Sequence, residues 1–147
     1  MVLAAAALHP TLALSRGVEL LPSLHDTAVD AARQQQQHML ATTTAAVVAP
    51  VQLVCASFED ACFADSDCVF CFSTCMKDVL ESLAHTIVQQ CRPGTVVITT
   101  DYALPAAAAV RRNDSSSVQI QQVQERSTGC ALIGGDCMVY FHRVEKI

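Results

Sequence analysis

Positive charge is scarce in this chain: nine Lys and Arg stand against fourteen Asp and Glu, for a formal net charge of -5. A protein that grips nucleic acid by its phosphates carries a basic face, and no such electrostatic footprint is present. Long apolar runs are absent too; none reaches the roughly 20 residues that a bilayer-spanning helix needs. The Ala- and Leu-rich opening, Met1 to Leu14, has no positive residue ahead of its apolar stretch and is interrupted by His9-Pro10. It therefore departs from the signal-peptide template. Only 16% of residues are charged while 52% are hydrophobic, which excludes a disordered composition. No internal repeat is visible. A length of 147 residues gives room for a single domain with its own core, not for two ordinary ones.

Cysteine, by contrast, is plentiful, with eight in the chain. Most sit inside apolar runs such as Val54-Cys55 and Cys68-Val69-Phe70-Cys71, where a free thiol packs as a small hydrophobe. This favours a reduced, intracellular protein over a disulfide-stapled secreted domain. A zinc site built from Cys68, Cys71 and Cys75 with His85 or Cys91 is the other alternative. Strand alternation would turn Cys68 and Cys71 to opposite faces, so no metal is expected. The histidines at 9, 25, 38, 85 and 142 are scattered and read as surface or core residues.

Periodicity and punctuation give an alternating order of elements. Residues 2 to 8 read as the end of a helix stopped by Pro10. Ser15 to Leu21 reads as a strand running into a loop, and Ser23 to Leu40 as a helix with Ser23 as N-cap and Leu24, Ala28, Ala31 and Ala32 on one face. The glutamines at 34 to 37 form its solvated end, and Thr42 to Thr44 belongs to a linker. Pro50 precedes a second strand, Val51 to Cys55. A third follows at Asp67 to Phe72, its continuous apolar run suggesting cover on both faces. Lys77 to Cys91 carries an apolar stripe at helical spacing, from Val79 to Val88. Arg92-Pro93-Gly94 ends it before a β-branched strand, Thr95 to Thr100. Asp101 to Ser117 has no period and reads as a loop. Val118 to Glu125 and Cys137 to Val144 then suggest a terminal antiparallel pair. The sum is an α/β sandwich.

Several stretches resemble class I S-adenosylmethionine-dependent methyltransferases of the disruptor-of-telomeric-silencing type, the histone-lysine enzymes. Gly17-Val18-Glu19-Leu20-Leu21-Pro22-Ser23-Leu24-His25 is similar to the segment in which a strand ends in an acid just before a helix. There the acid accepts hydrogen bonds from the ribose hydroxyls of the cofactor, which assigns Glu19 to the ribose. Taken alone, Glu19 is also an ordinary loop acid. Cys55-Ala56-Ser57-Phe58-Glu59-Asp60 is similar to the loop beside the adenine. The resemblance puts Phe58 against the base, where the bland alternative is core packing. The family's acid falls on Ser57, with Glu59 or Asp60 as its substitute.

Asp67 to Met76 resembles the strand whose tip floors the active site. The histone enzymes have asparagines at that tip, whereas this chain has Phe72 and Ser73. Arg92 to Thr100 follows the family's helix, turn and strand pattern. Gly129 to Arg143 is similar to its last hairpin, where aromatics wall the lysine channel, and Tyr140 takes that place unless it simply packs. The resemblance implies a Rossmann-like, mostly parallel sheet with a C-terminal antiparallel hairpin, over residues 1–147 as one partial domain. It implies S-adenosylmethionine as cofactor, and as acceptor a protein lysine, of a core histone in the nucleosome for a nuclear enzyme. Phe72, Ser73 and Tyr140 would serve at the catalytic end; Glu19, Ser57, Phe58 and Glu59 would hold the cofactor. The family's first strand and Gly-x-Gly loop should precede Val2 and are missing, so the expectation is a piece of a longer enzyme. Methyl transfer needs alignment and exclusion of water more than acid-base help, and no catalytic triad is visible.

Overall fold

The computed structural model describes residues 1–41, 47–74, 76–105, 110–111, 117–130 and 135–147. The chain divides into two compact units, Met1–Ala61 and Cys62–Ile147.

In the first unit, helix α1 (Val2–Leu8) ends ahead of Pro10 as its composition requires. It is held to strand β1 (Ser15–Glu19) by the Ser15 hydroxyl, which donates to the Val2 carbonyl at 3.0 Å. A close packing fixes this contact: a Cβ built at Gly17 would lie 2.7 Å from Val2 Cγ2 and 3.0 Å from Leu53 Cδ2. Helix α2 (Pro22–Ala41) follows, then strand β2 (Val51–Cys55). β1 and β2 pair in parallel, Ser15 opposite Val51 and Glu19 opposite Cys55. Two parallel strands need a long crossover, and α2 supplies it. Both strand tips therefore come to the same end of the sheet.

The phase of α2 differs from expectation. The helix begins at Pro22, whose fixed φ and missing N–H suit a first helical position, so Ser23 lies inside it and is not the cap. His25, Ala28, Val29, Ala32 and Gln35 are half-buried, while Leu24 is 52% exposed and Ala31 is exposed. With so few large apolar residues, hydrophobicity alone does not set which side of this helix turns inward.

In the second unit, strand β3 (Cys68–Cys71) leads through a 3₁₀ turn at Lys77–Val79 to helix α3 (Leu80–Gln90) and strand β4 (Val96–Thr100). α3 buries Leu80, Leu83, Ala84, Ile87 and Val88, the apolar stripe read from the sequence, and each large aliphatic side chain among them contributes about 1.5–3 kcal/mol. The turn after it needs a left-handed residue, and Gly94 provides it at φ 95, donating its N–H to the Val144 carbonyl at 2.7 Å. Strand β5 (Val110–Arg111) is a two-residue piece inside the stretch expected to be loop. Strands β6 (Ser117–Cys130) and β7 (Gly135–Lys146) form the expected terminal hairpin, longer than predicted at both arms.

The sheet order is β3-β4-β7-β6-β5. β3 and β4 are parallel, and β7 runs antiparallel to both β4 and β6. The mixed α/β class stands, but the sheets are small and this one is largely antiparallel, because the tail adds its strands as a meander. Nor is β3 covered on both faces: Val69 is buried, whereas Phe70 is 38% exposed. Val69, Val97, Val144 and His142 are buried within this unit, as is the apolar side of α3.

Candidate functional site

The first unit holds a cleft of about 160 Å³ lined by Val2, Gly17, Val18, Glu19, His25, Ala28, Leu53 and Val54. Glu19 stands at the carboxyl end of β1, where open α/β sheets bind their ligands. One carboxylate oxygen accepts the Leu21 N–H at 2.9 Å, which fixes the side chain across the turn into α2 and leaves the other oxygen for a ligand. The β2 tip is tied to the same place, since the Ala56 N–H donates to the Glu19 carbonyl at 3.0 Å. Apart from His25, the remaining walls are aliphatic or glycine. An apolar cavity of about 150 Å³ takes one benzene-sized ring, so this cleft has room for one ring beside the Glu19 carboxylate.

The other cofactor candidates lie on the loop beyond β2. Ser57 Oγ accepts the Glu59 N–H at 3.3 Å, and the Ser57 carbonyl accepts the Asp60 N–H at 3.1 Å. These bonds make a tight turn that half-buries Phe58 and exposes Glu59. None of Ser57, Phe58 and Glu59 lines the cleft; Glu19 is the one predicted cofactor residue that does.

In the second unit the carboxyl ends of β3 and β4 carry a polar network of which the sequence signals only a part. Ser73 is fully buried. Its hydroxyl donates to the Thr100 carbonyl and accepts the Thr100 N–H at 3.1 Å, while its own N–H donates to Thr100 Oγ1 at 3.1 Å. These bonds make Ser73 a clamp between two strand ends, with its hydroxyl fully engaged. Thr74 Oγ1 donates to Asp101 Oδ2 at 2.6 Å. Asp101 is in the left-handed region at φ 61, a conformation aspartate tolerates better than most residues; its N–H donates to the Met138 carbonyl at 2.7 Å. Beside them the Lys77 ammonium sits 5.7 Å from the centroid of the Tyr102 ring, a cation–π contact. Phe72 lies just past β3 and is 40% exposed, and Tyr102 is 37% exposed. Tyr140 is half-buried in β7 opposite Thr99.

The loop after β4 is anchored by His142, which is fully buried. Its Nε2 accepts the Leu104 N–H at 3.1 Å, and Nδ1 faces the Val97 carbonyl at 3.4 Å. That pairing assigns the proton to Nδ1. Burial holds the imidazole pKa below its ordinary value, partly offset by the bond to Val97. No local sequence pattern signals this role; only the β4–β7 register brings the ring to the loop.

Of the zinc candidates, Cys68 is exposed, Cys71 is half-buried and Cys91 is buried; Cys75 lies outside the described residues. Burial raises the Cys71 thiol pKa, and burial followed by the nearby Asp67 charge raises that of Cys68. Among the described residues no three His, Cys, Asp or Glu gather as metal ligands, and no helix is long and apolar enough to cross a membrane.

The architecture is similar to that of a solved RNA methyltransferase from Salinibacter ruber in complex with S-adenosyl-L-homocysteine, at TM-score 0.57 over 88% of this chain. The chain shares its fold with that enzyme. Identity is 18%, and the chain spans 65% of that structure's length, so the likeness is one of fold. No family model and no curated protein matches the chain; the resemblance to the histone-lysine type therefore rests on its short sequence segments alone.

Proposed function

We propose that the protein is an S-adenosylmethionine-dependent methyltransferase whose first unit holds the cofactor's ribose at Glu19. The observation that carries this is the acid at the β1 tip, fixed by Leu21 and lining a ring-sized cleft, in a chain whose fold is similar to that of a methyltransferase. Glu19 holds the ribose by charge-assisted hydrogen bonds, while Val18, Leu53 and Val54 keep water from the ring. Bound there, S-adenosylmethionine supplies an electrophilic methyl group on its sulfonium.

The acceptor we propose is a protein lysine, with a core histone in the nucleus as the substrate the reading favours. Two features support a basic protein over a nucleic acid: the net charge of -5, and the aromatic rings at the second unit's strand tips. Phe72 and Tyr102 offer apolar walls for the lysine's methylene stem, and the Asp101 carboxylate beside them attracts its ammonium before the proton is lost. Ser73 acts as a positioning residue that holds the two tips together, and Tyr140 stands behind them in β7.

Calorimetry with S-adenosyl-L-homocysteine on the 147-residue chain tests the cofactor assignment. Binding is expected, weakened about 10- to 100-fold by Glu19→Ala, as befits loss of hydrogen bonds to a charged group. Equal affinity in the two proteins, or none in the parent chain, refutes it. Transfer of labelled methyl to core histones but not to RNA supports the lysine reading, and the reverse pattern overturns it.

A further inference from the structure

Two side-chain acceptors belong to residues that line the cleft of the first unit. Glu19 is one. The other belongs to His25, on the inward face of α2, to which the sequence pattern assigns no function. Its side chain is 20% exposed, and Nδ1 lies 3.3 Å from Asp26 Oδ1. A carboxylate cannot donate, so in the neutral ring the proton sits on Nδ1 and Nε2 keeps a lone pair. Nε2 holds no hydrogen bond to the described residues. The other wall residues, Val2, Gly17, Val18, Ala28, Leu53 and Val54, have no polar side chain. A cleft with this inventory suits a ligand that presents two adjacent donors, which is the chemistry of a vicinal diol; its side chains offer nothing to a phosphate or a carboxylate.

Resting on the cofactor reading above, we propose that His25 is a second ribose-positioning residue, its Nε2 accepting from one hydroxyl while Glu19 accepts from the other. Asp26 acts through His25 by fixing its tautomer. The sharing also accounts for the turn between β1 and α2: Leu21 ties up one oxygen of Glu19, so a single carboxylate is not left to hold both hydroxyls alone.

The test is a ligand-deletion cycle on the full chain, with S-adenosyl-L-homocysteine and its two deoxy forms, each lacking one ribose hydroxyl. Affinities are measured by calorimetry for the parent, Glu19→Ala, His25→Ala and His25→Gln, with far-UV circular dichroism to check the fold. In the parent the deoxy form without the hydroxyl held by Glu19 binds about 10- to 100-fold more weakly, the value of a hydrogen bond to a charged group, and the other about three- to ten-fold. In His25→Ala the latter form loses its penalty while the former keeps its own, and His25→Gln, whose amide oxygen also accepts, restores part of the lost penalty. If His25→Ala weakens all three ligands by one factor, the residue merely shapes the cleft and the proposal fails. It fails equally if His25→Ala changes nothing while Glu19→Ala weakens binding, an outcome that leaves the cofactor reading intact. No binding by the parent chain removes both.

Discussion

His142 offers the sharpest test of the second unit, because a fully buried imidazole there holds a loop by a single strong bond. Its Nε2 accepts the Leu104 N–H at 3.1 Å, whereas the contact from Nδ1 to the Val97 carbonyl is 3.4 Å and long. His142→Leu keeps most of the volume and removes both. The Leu104 amide, on a residue 5% exposed, is then buried without an acceptor, which costs about 1–3 kcal/mol. A loss near 2 kcal/mol lowers Tm by about 8–16 °C in a unit of this size. The chain has no tryptophan, so urea unfolding followed by far-UV circular dichroism is the suitable assay.

The pH dependence separates this role from simple packing. Burial lowers the folded-state pKa of His142 from 6.5, so the folded protein resists a proton that the unfolded chain accepts. Stability from this group is complete above about pH 6.5 and is lost as pH falls from there toward the lowered value, by at most about 1.4 kcal/mol per pH unit. His142→Leu has no such group. The gap between parent and variant is therefore widest above about pH 6.5 and closes as pH falls through that window. A gap that stays constant with pH, or a loss under about 0.5 kcal/mol near neutral pH, refutes the buried neutral acceptor.

Two further substitutions probe the remaining geometry. Ser73→Ala strips the clamp from the β3 and β4 tips and leaves the buried Thr100 amide wanting; a loss of about 1–3 kcal/mol in urea is expected, and an unchanged midpoint means the clamp does not form. Gly17→Ala drives a Cβ to 2.7 Å from Val2 Cγ2, and since Val2 also lines the cleft, both the stability of the first unit and its ligand affinity should fall. Overpacking of this kind costs about 1–3 kcal/mol. If Gly17→Ala leaves the protein as stable as the parent, α1 does not pack on β1 in solution.

Much of the element order was legible because it rests on local chemistry. Pro10, Pro50 and the Arg92-Pro93-Gly94 turn punctuate the chain, and the β-branched run Val96–Thr100 and the stripe of α3 have clear periods. The place of Glu19 at the end of a short strand was legible for the same reason, whereas its assignment to a ribose came only from the family resemblance. The phase of α2 was not legible. Between Asp26 and Gln37 its apolar residues are Ala28, Val29, Ala31 and Ala32, too small and too evenly spread to choose a side. Size alone points to Leu24 as the inward residue; the helix packs by its small residues instead, and that turns His25 into the cleft.

What no local pattern could supply is register. Ser73 and Thr100, or Thr74 and Asp101, lie 27 residues apart, and nothing in either neighbourhood announces the other. The parallel pairing of Cys71 with Thr99 decides it: residues just beyond one strand end must then meet residues just beyond the other. The same logic in β7, where His142 sits opposite Val97, brings the imidazole to the loop that follows β4. Polar residues that look ordinary in sequence thus become a network because the register aligns two strand ends. The left-handed Asp101, bonded through its carboxylate to Thr74 and through its amide to Met138, is where that alignment is tightest. Such strain is held only where surrounding bonds over-determine it. The strand tips are thus held in a defined geometry by bonds between residues distant in sequence.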